Sequence, residues 1–226
     1  MPLDLLAGSG FGSLLGMRHA LEPDHLAAVT TMVSRERSGI RAVWLGVCWG
    51  LGHTASLLVV GIILVILRAE MPASMTMLFE LAVALMLIGL GVRAIALAAQ
   101  QGPDGPLVVH RHGAIVHRHT TGAAHLHIGG WALARRPLIV GALHGLAGSG
   151  ALTALVLATL PTNSARVAYL ALFGLGSTLG MAALSGLLGW PLARFGTHQA
   201  VTRGISLLVG CATVALGVLW GYRVVW

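Results

Sequence analysis

Two imidazoles, two carboxylates and a guanidinium lie together in residues 16–25, between apolar stretches of the chain. The residues that carry them are Arg18, His19, Glu22, Asp24 and His25. Charged groups at membrane depth are costly, so they persist mainly where they face a polar pathway or a bound ion. Imidazole combined with carboxylate suits Ni²⁺, Co²⁺, Zn²⁺ or Fe²⁺ better than Mg²⁺ or Ca²⁺, which prefer oxygen ligands alone. The segment therefore predicts a transition-metal site.

A helix break is needed to bring these groups together. His19 and His25 are six positions apart, about 240° around an ideal helix, so a regular helix would separate them. Pro23 removes a backbone donor and clashes with the preceding turn, which leaves a carbonyl near residue 19 without its helical partner. Proline also suits the first turn of a following helix. We therefore expect a break near Pro23 that turns His19 and the Asp24–His25 pair toward one point.

The next apolar segment contributes a further imidazole, His53, within the pattern Gly-Leu-Gly-His-Thr of residues 50–54. The predicted metal ligands are His19, Asp24, His25 and His53. The alternative for His53 is a buried side chain that hydrogen-bonds to a neighbouring carbonyl. Glu22 also has two interpretations. It either neutralises Arg18, four residues before it, or acts as a ligand or proton carrier on a translocation path.

The composition places these residues in a membrane. The 226 residues are 56% hydrophobic and 9% charged, and several stretches approach the ~20 apolar residues that cross a bilayer. Six apolar segments cover residues 3–33, 40–67, 74–99, 137–160, 165–190 and 204–225. The sequence predicts an all-α polytopic membrane protein with six transmembrane helices, the first broken near Pro23. The beginning of the chain lacks a basic region and a cleavage-like site, so no removable signal is expected. Cys48 and Cys211 are expected to be unpaired packing residues.

The basic residues indicate topology rather than nucleic-acid binding. All 14 are Arg and the net charge is +7; without Lys the chain cannot carry a phosphate-binding P-loop, so transport would use a gradient or a partner's ATPase. Ten Arg fall on one side of the membrane (35, 37, 41, 93, 111, 118, 135, 136, 194 and 203) and three on the other (68, 166 and 223). The positive-inside rule predicts a multi-pass plasma (prokaryotic inner) membrane protein, with both termini outside and residues 101–136 cytoplasmic.

Two short patterns recur in the same order about 125 residues apart. Residues 16–21 (Gly-Met-Arg-His-Ala-Leu) match 141–146 (Gly-Ala-Leu-His-Gly-Leu), and 50–54 match 174–178 (Gly-Leu-Gly-Ser-Thr). The interpretation is two three-helix repeats, residues 1–100 and 137–226, joined by the loop 101–136. An odd number of helices inverts the second copy and places a binding site near the midplane, at the repeat interface. The alternative is coincidence among helices rich in Gly and Leu.

Small residues with three residues between them predict close helix packing. Such pairs are Gly12/Gly16, Gly46/Gly50, Gly141/Gly145 and Gly176/Gly180. They fall in the first, second, fourth and fifth segments, so the third and sixth are expected at the periphery. In the second half His144 is the counterpart of His19, but Ser149 and Gly150 replace Asp24 and His25. This half is expected to supply a hydroxyl-lined path (Ser149, Ser177, Thr178) and one transient imidazole, His144.

The loop contains three His-x-His pairs: His110/His112, His117/His119 and His125/His127. In an extended strand both imidazoles of a pair lie on one side, and His-rich tracts are typical of metal binding. The interpretation is a low-affinity cytoplasmic metal buffer or sensor rather than a set of transport ligands. The alternative is a flexible loop with incidental His.

The run His19-Ala-Leu-Glu-Pro-Asp24-His25 resembles the signature of the nickel/cobalt transporter family and of the related urease-accessory-type nickel permeases. Arg18, residues 26–29 and residues 52–54 fit the same resemblance, which covers about the first sixty residues well. The second half is similar, more loosely, to the shorter six-helix permeases through residues 144–149. The resemblance implies movement of Ni²⁺ or Co²⁺ through the membrane, with the first motif binding the ion. The longer members have two more helices and acidic motifs in their second half, whereas this chain has no Asp or Glu after Asp104.

The leading hypothesis is a secondary, proton-coupled permease for Ni²⁺ or Co²⁺, the ion being cargo and no prosthetic group being required. One alternative is an accessory protein that hands nickel to an enzyme-maturation partner, such as a cytoplasmic metallochaperone; efflux instead of uptake is another. An intramembrane metalloenzyme is disfavoured because the chain lacks the His-Glu-x-x-His pattern. We therefore expect a transporter, not an enzyme.

Overall fold

The computed structural model describes residues 2–34, 36, 38–67, 69, 71–100, 108–112, 115–119, 125–128, 131–147, 160, 162–195 and 199–226. The first three helices after the amino terminus are α1 (Pro2–His19), α2 (Pro23–Val33) and α3 (Gly39–Leu67), followed by α4 (Ala73–Ala99). Four strands come next: β1 (Val108–His112), β2 (Ile115–His119), β3 (His125–Ile128) and β4 (Trp131–Ala134). The chain ends with α5 (Arg135–Leu146), α6 (Asn163–Phe195) and α7 (Gln199–Val225).

Four helices, α3, α4, α6 and α7, are long and apolar enough to cross a bilayer. The 29 residues of α3 rise about 43 Å, more than the ~30 Å of a hydrocarbon core. Large apolar side chains on these helices point away from the bundle, as Leu85, Leu187 and Leu208 do. Such a surface suits lipid, and the chain is a polytopic membrane protein.

The first and fourth predicted spans are not single long helices in the described residues. The first is divided into α1 and α2, of 18 and 11 residues, as the proline predicts. In the fourth, α5 has 12 residues and rises about 18 Å, which is too short to cross a bilayer by itself. Beyond Ala147, Leu160 is the one residue of that span that the structure describes. The count of six therefore stays a prediction for these two spans.

Helices from the two ends of the chain interleave. α1 packs on α6, α3 packs on both α5 and α6, and α4 packs on α7. α6 lies at the centre of the bundle. In its apolar stretch 56% of the residues are buried, compared with 22% to 33% in the other three long helices. α2 lies between α6, α4 and α7, and a Thr31–Thr213 hydrogen bond of 2.8 Å ties it to α7.

Glycines make these contacts very close, as their spacing predicts. A Cβ on Gly16 would collide with the carbonyl oxygen of Phe173, and one on Gly141 with that of Trp49. Likewise Gly176 lies on the carbonyl of Ser13, and Gly52 on that of Leu138. The contact of Gly16 with Phe173 and that of Gly141 with Trp49 join residues related by a shift of 124 or 125 positions along the sequence. The contacts of Gly176 and Gly52 are related in the same way.

The third and sixth predicted helices, α4 and α7, have a close contact of their own. A Cβ on Gly91 would lie 2.6 Å from the carbonyl oxygen of Gly210, and one on Gly217 would lie 2.8 Å from that of Ala84. These contacts are again related, by an offset of 126 residues. The expectation that these two segments lack glycines with three residues between them is wrong for α7, in which Gly217 and Gly221 have that spacing.

Two antiparallel hairpins follow α4, and an all-α interpretation did not include them. In β1–β2 the register pairs His110 with His117, and in β3–β4 it pairs His127 with Ala132. Every His-x-His pair falls in a strand, as its spacing suggests. Cys48 and Cys211 are both free, as expected. Only Cys48 is buried, so the role of packing residue does not extend to Cys211.

Candidate metal centre

The break between α1 and α2 turns the chain at residues 20–22. α1 ends at His19, and α2 begins at Pro23, with Asp24 and His25 buried in its first turn. The backbone N–H of Glu22 donates to the carbonyl of His19 at 3.0 Å. The carbonyl of His19 thus lacks the helical donor that Pro23 cannot supply, as expected, and the tight turn provides a different one.

Three imidazoles, those of His19, His25 and His53, form the first potential metal-binding group. Their ligand atoms lie within 4.8 Å of one another, and the Nε2 atoms of His19 and His53 are 3.2 Å apart. Two nitrogen ligands about 2.1 Å from one metal ion would be separated by about 3 Å. The observed separation is suitable for shared coordination after little rearrangement.

Asp24, His25 and His144 form the second group, again with their ligand atoms within 4.8 Å of one another. Asp24 Oδ1 lies 3.1 Å from His25 Nδ1, and Asp24 Oδ2 lies 3.6 Å from His144 Nε2. His25 thus belongs to both groups. Its ring centre is 4.4 Å from that of His19 and 4.6 Å from that of His144.

The five side chains are removed from solvent. The exposed fraction is 4% for His19, 1% for Asp24 and His144, and 0% for His25 and His53. Within the described part of the chain, several buried ring nitrogens have no hydrogen-bond partner: His25 Nε2, His53 Nδ1, and both nitrogens of His144. Buried polar atoms are normally hydrogen-bonded, so this concentration of unsatisfied donors and acceptors is what a site for a cation would present.

Helix ends give the site a favourable field for a cation. His19 is the last residue of α1, and His144 lies in the last turn of α5. The carboxyl end of a helix carries partial negative charge and favours cations, while the amino end favours anions. Asp24 lies in the first turn of α2, where that helix stabilises the carboxylate. Helix ends of this kind form ion sites in transporters with broken helices.

Glu22 orients His19 in the structure. Its Oε1 lies 2.9 Å from His19 Nδ1 and its side chain is partly exposed, while Arg18 is exposed. In the structure Glu22 therefore pairs with His19 and not with Arg18. A carboxylate on one nitrogen of an imidazole fixes the ring and leaves the other nitrogen for a metal, and His19 Nε2 is the atom that faces His53.

Aromatic rings enclose the site from two sides. Phe173 lies 5.4 Å from His19, and Trp49 lies 5.4 Å from His25 and 5.6 Å from His144, between ring centres. Both rings are buried. They exclude water from the imidazoles, which strengthens electrostatic contacts with a bound ion.

The structure brings together all four predicted ligands, although in two overlapping groups rather than one. His144, predicted only as a transient imidazole, contacts Asp24 directly. The sequence signal for His144 is its correspondence to His19 in the repeated pattern. That signal does not reveal that the carboxyl end of α5 meets the start of α2. The interpretation of His53 as bonded to a carbonyl does not hold for its Nε2, which faces His19.

The remaining predicted path residues are less fully placed. Ser177 is buried and its hydroxyl has no partner among the described residues. Thr178 Oγ1 lies 2.9 Å from the Oγ1 atom of Thr54, the residue that follows His53 in the sequence. Ser149 lies outside the described residues. The six loop histidines (His110, His112, His117, His119, His125 and His127) are located by the backbone of β1, β2 and β3.

Comparison with known proteins gives one informative similarity. The chain is 29% identical over 221 residues to the urease accessory protein UreH of Bacillus sp. (strain TB-90). The alignment covers 98% of this chain and 93% of that protein, so the similarity includes both the α1–α3 region and α5. No family model matches the chain. No solved structure matches it.

Proposed function

We propose that this protein carries Ni²⁺ or Co²⁺ across the plasma membrane as a secondary transporter, and that it is not an enzyme. The observation that carries the proposal is the buried meeting of His19, His25 and His53 beside Asp24. Nitrogen-rich donors with one carboxylate favour late first-row divalent ions over Mg²⁺ or Ca²⁺. Four imidazoles and one carboxylate hidden inside an apolar helical bundle are costly unless a cation passes there.

The choice of nickel or cobalt rests on similarity. The His19–His25 run resembles the nickel/cobalt transporter signature. The similar Bacillus protein, which aligns with this chain over nearly its whole length, is named a urease accessory protein. These two similarities point in the same direction because the motif resemblance includes urease-accessory-type nickel permeases. Nickel is therefore the first ion to test, with cobalt second.

The proposed architecture is two inverted repeats, residues 1–100 and 137–226, joined by the His-rich segment 101–136. Support comes from the paired contacts with a nearly constant offset, such as Gly16 on Phe173 and Gly141 on Trp49. Thr54 and Thr178, which are repeat counterparts, contact each other, as residues near a two-fold axis would. In this arrangement both termini are outside and the His-rich segment is cytoplasmic, following the distribution of Arg.

Proton coupling is part of the proposal. Metal ligands must be deprotonated, so protons compete with the metal for imidazole nitrogens. Release of the ion is then favoured on the more acidic side of the membrane. An imposed pH gradient across proteoliposomes, applied in both directions, measures both coupling and the direction of transport.

The decisive experiment is flux of radioactive Ni²⁺ into proteoliposomes that contain the purified full-length protein. His19→Ala and Asp24→Ala are expected to abolish flux while the protein still inserts and elutes as the wild type does. Ser185→Ala removes a buried hydroxyl outside both metal-binding groups and serves as the matched control. Wild-type flux in either site variant would refute the assignment of these ligands.

The accessory role is a second candidate because the similar protein is named a urease accessory protein. In that case the His-rich segment would pass metal to a cytoplasmic maturation partner. Deleting residues 107–128 separates the two candidates. If the protein is a transporter, the loop is a metal buffer or sensor and the deletion variant keeps its flux. If it is a docking protein, the wild type shows no flux, and the deletion removes its effect on the partner enzyme.

A further inference from the structure

We propose that the two overlapping groups are successive positions for one ion, with His25 as the shared ligand and His144 as the residue that receives the ion in the second half of the chain. The proposal rests on the proposed function and specifies how the ion leaves its first position. The first position is His19/His25/His53, and the second is Asp24/His25/His144.

The geometry of His25 carries the first step. Its ring lies between those of His19 and His144, with centres 4.4 Å and 4.6 Å away. One of its nitrogens, Nδ1, lies beside Asp24 at 3.1 Å, while Nε2 has no hydrogen-bond partner among the described residues. An ion that exchanges His19 and His53 for Asp24 and His144 therefore stays beside the His25 ring throughout.

The state of His144 carries the second step. It is 1% exposed, and its Nε2 has no hydrogen-bond partner in the described part of the chain. A histidine that served only to fill space would leave this buried atom unsatisfied at a considerable cost. Its Nε2 lies 3.6 Å from Asp24 Oδ2, which is slightly wider than two donors on one ion require.

The charges of the two positions differ, and that difference makes exchange possible. Imidazoles, which bind a metal without their own charge, form the first position, while a carboxylate lies in the second. Two divalent cations a few ångströms apart in a dry site would repel strongly. The shared ligand and this repulsion together allow one ion at a time. Occupancy then alternates between the positions, and each is weak enough to release its ion.

Equilibrium binding and flux distinguish this relay from a single five-residue site. Purified full-length protein in detergent is titrated with Ni²⁺ by equilibrium dialysis, and the same preparations are reconstituted for Ni²⁺ flux. His144→Gln removes only the second position, so binding of one ion is expected to stay within about threefold of wild type. Flux is expected to fall at least about tenfold, because the ion has no position to move to.

His53→Gln is the matched variant of the first position and is expected to weaken binding at least about tenfold. Ser185→Ala controls for the loss of a buried polar group and is expected to change neither quantity. Elution profile and thermal unfolding identify a variant that fails to fold. In that case His144→Asn replaces His144→Gln, with the same expected results.

Three results would overturn the relay. They are undiminished flux in His144→Gln, a loss of binding in His144→Gln as large as that in His53→Gln, and simultaneous binding of two Ni²⁺ ions that are both lost in His25→Ala, a variant that keeps the six loop histidines. Failure of the proposed function looks different, because the wild type itself would then move neither Ni²⁺ nor Co²⁺.

Discussion

The two halves of the molecule share a scaffold and differ in chemistry. Gly16 and Gly141 make equivalent contacts, as do Gly52 and Gly176. The first half, however, holds Asp24, His25 and His53, while Ser177 occupies the counterpart position of His53, and all acidic residues of the chain occur by Asp104. Equivalent helix contacts thus occur in both halves, while most of the metal donors lie in the first. An asymmetric set of ligands in a symmetric frame gives an ion two unequal environments.

The largest expected effect tests the chemical difference. His53→Ala removes an imidazole from the first group, and we expect the rate of Ni²⁺ uptake to fall at least about tenfold. Ser177→Ala alters the counterpart position, where a hydroxyl offers only a weak ligand, and a decrease of about twofold at most is expected. Initial uptake rates in cells with matched expression give both values. Equal losses would mean that the halves share the chemistry as well as the scaffold.

A second pair of variants tests the equivalence of the scaffold. Gly16→Val and Gly141→Val each force a side chain against a backbone carbonyl, of Phe173 and Trp49 respectively. Each is expected to destabilise the folded state by about 1–3 kcal/mol, the usual cost of overpacking. Gly89→Val is the control, because a Cβ there meets nothing within 4 Å.

Thermal unfolding in detergent measures these glycine variants. Gly16→Val and Gly141→Val are expected to lower the unfolding temperature by similar amounts, while the unfolding temperature of Gly89→Val stays near that of the wild type. A large effect at only one of the two positions would show that the halves do not pack as equivalents.

The smallest expected effect concerns the hydrogen bond between repeat counterparts. Thr54 Oγ1 and Thr178 Oγ1 lie 2.9 Å apart, so Thr54→Val and Thr178→Val each remove this contact, together with that hydroxyl's own contact with the Gly174 carbonyl oxygen. Each is expected to cost about 1 kcal/mol, and the double variant should cost less than the sum of the two. Strict additivity in a double-mutant cycle would show that the two hydroxyls do not interact.

Local features of the fold could be predicted from sequence because local chemistry determines them. Pro23 cannot continue a helix, so the division into α1 and α2 follows from one residue. Glycines with three residues between them predict close helix contacts, and the structure has such contacts at Gly16 and Gly141. The approach of His53 to His19 followed from the neighbouring motifs, although only the structure gives its distance of 3.2 Å.

Features that depend on how distant helices meet could not be predicted. The contact of His144 with Asp24 arises because α5 packs on α3 and brings its carboxyl end to the start of α2. The partner of Glu22 depended on the turn at residues 20–22, which moves it onto His19 rather than Arg18. The two hairpins also escaped an interpretation based on helical periods, since strand pairing requires a register that single strands do not specify.

The interleaving of the helices has a consequence for how the protein is made. α1 packs on α6, α3 on α5 and α6, and α4 on α7, so each long helix of the first half has its main partner in the second. When the ribosome has completed only α1–α4, those helices have no core to join and their polar histidines have no enclosed place in the bilayer. Maturation of the bundle must therefore wait until α5, α6 and α7, the partners of these helices, have entered the membrane.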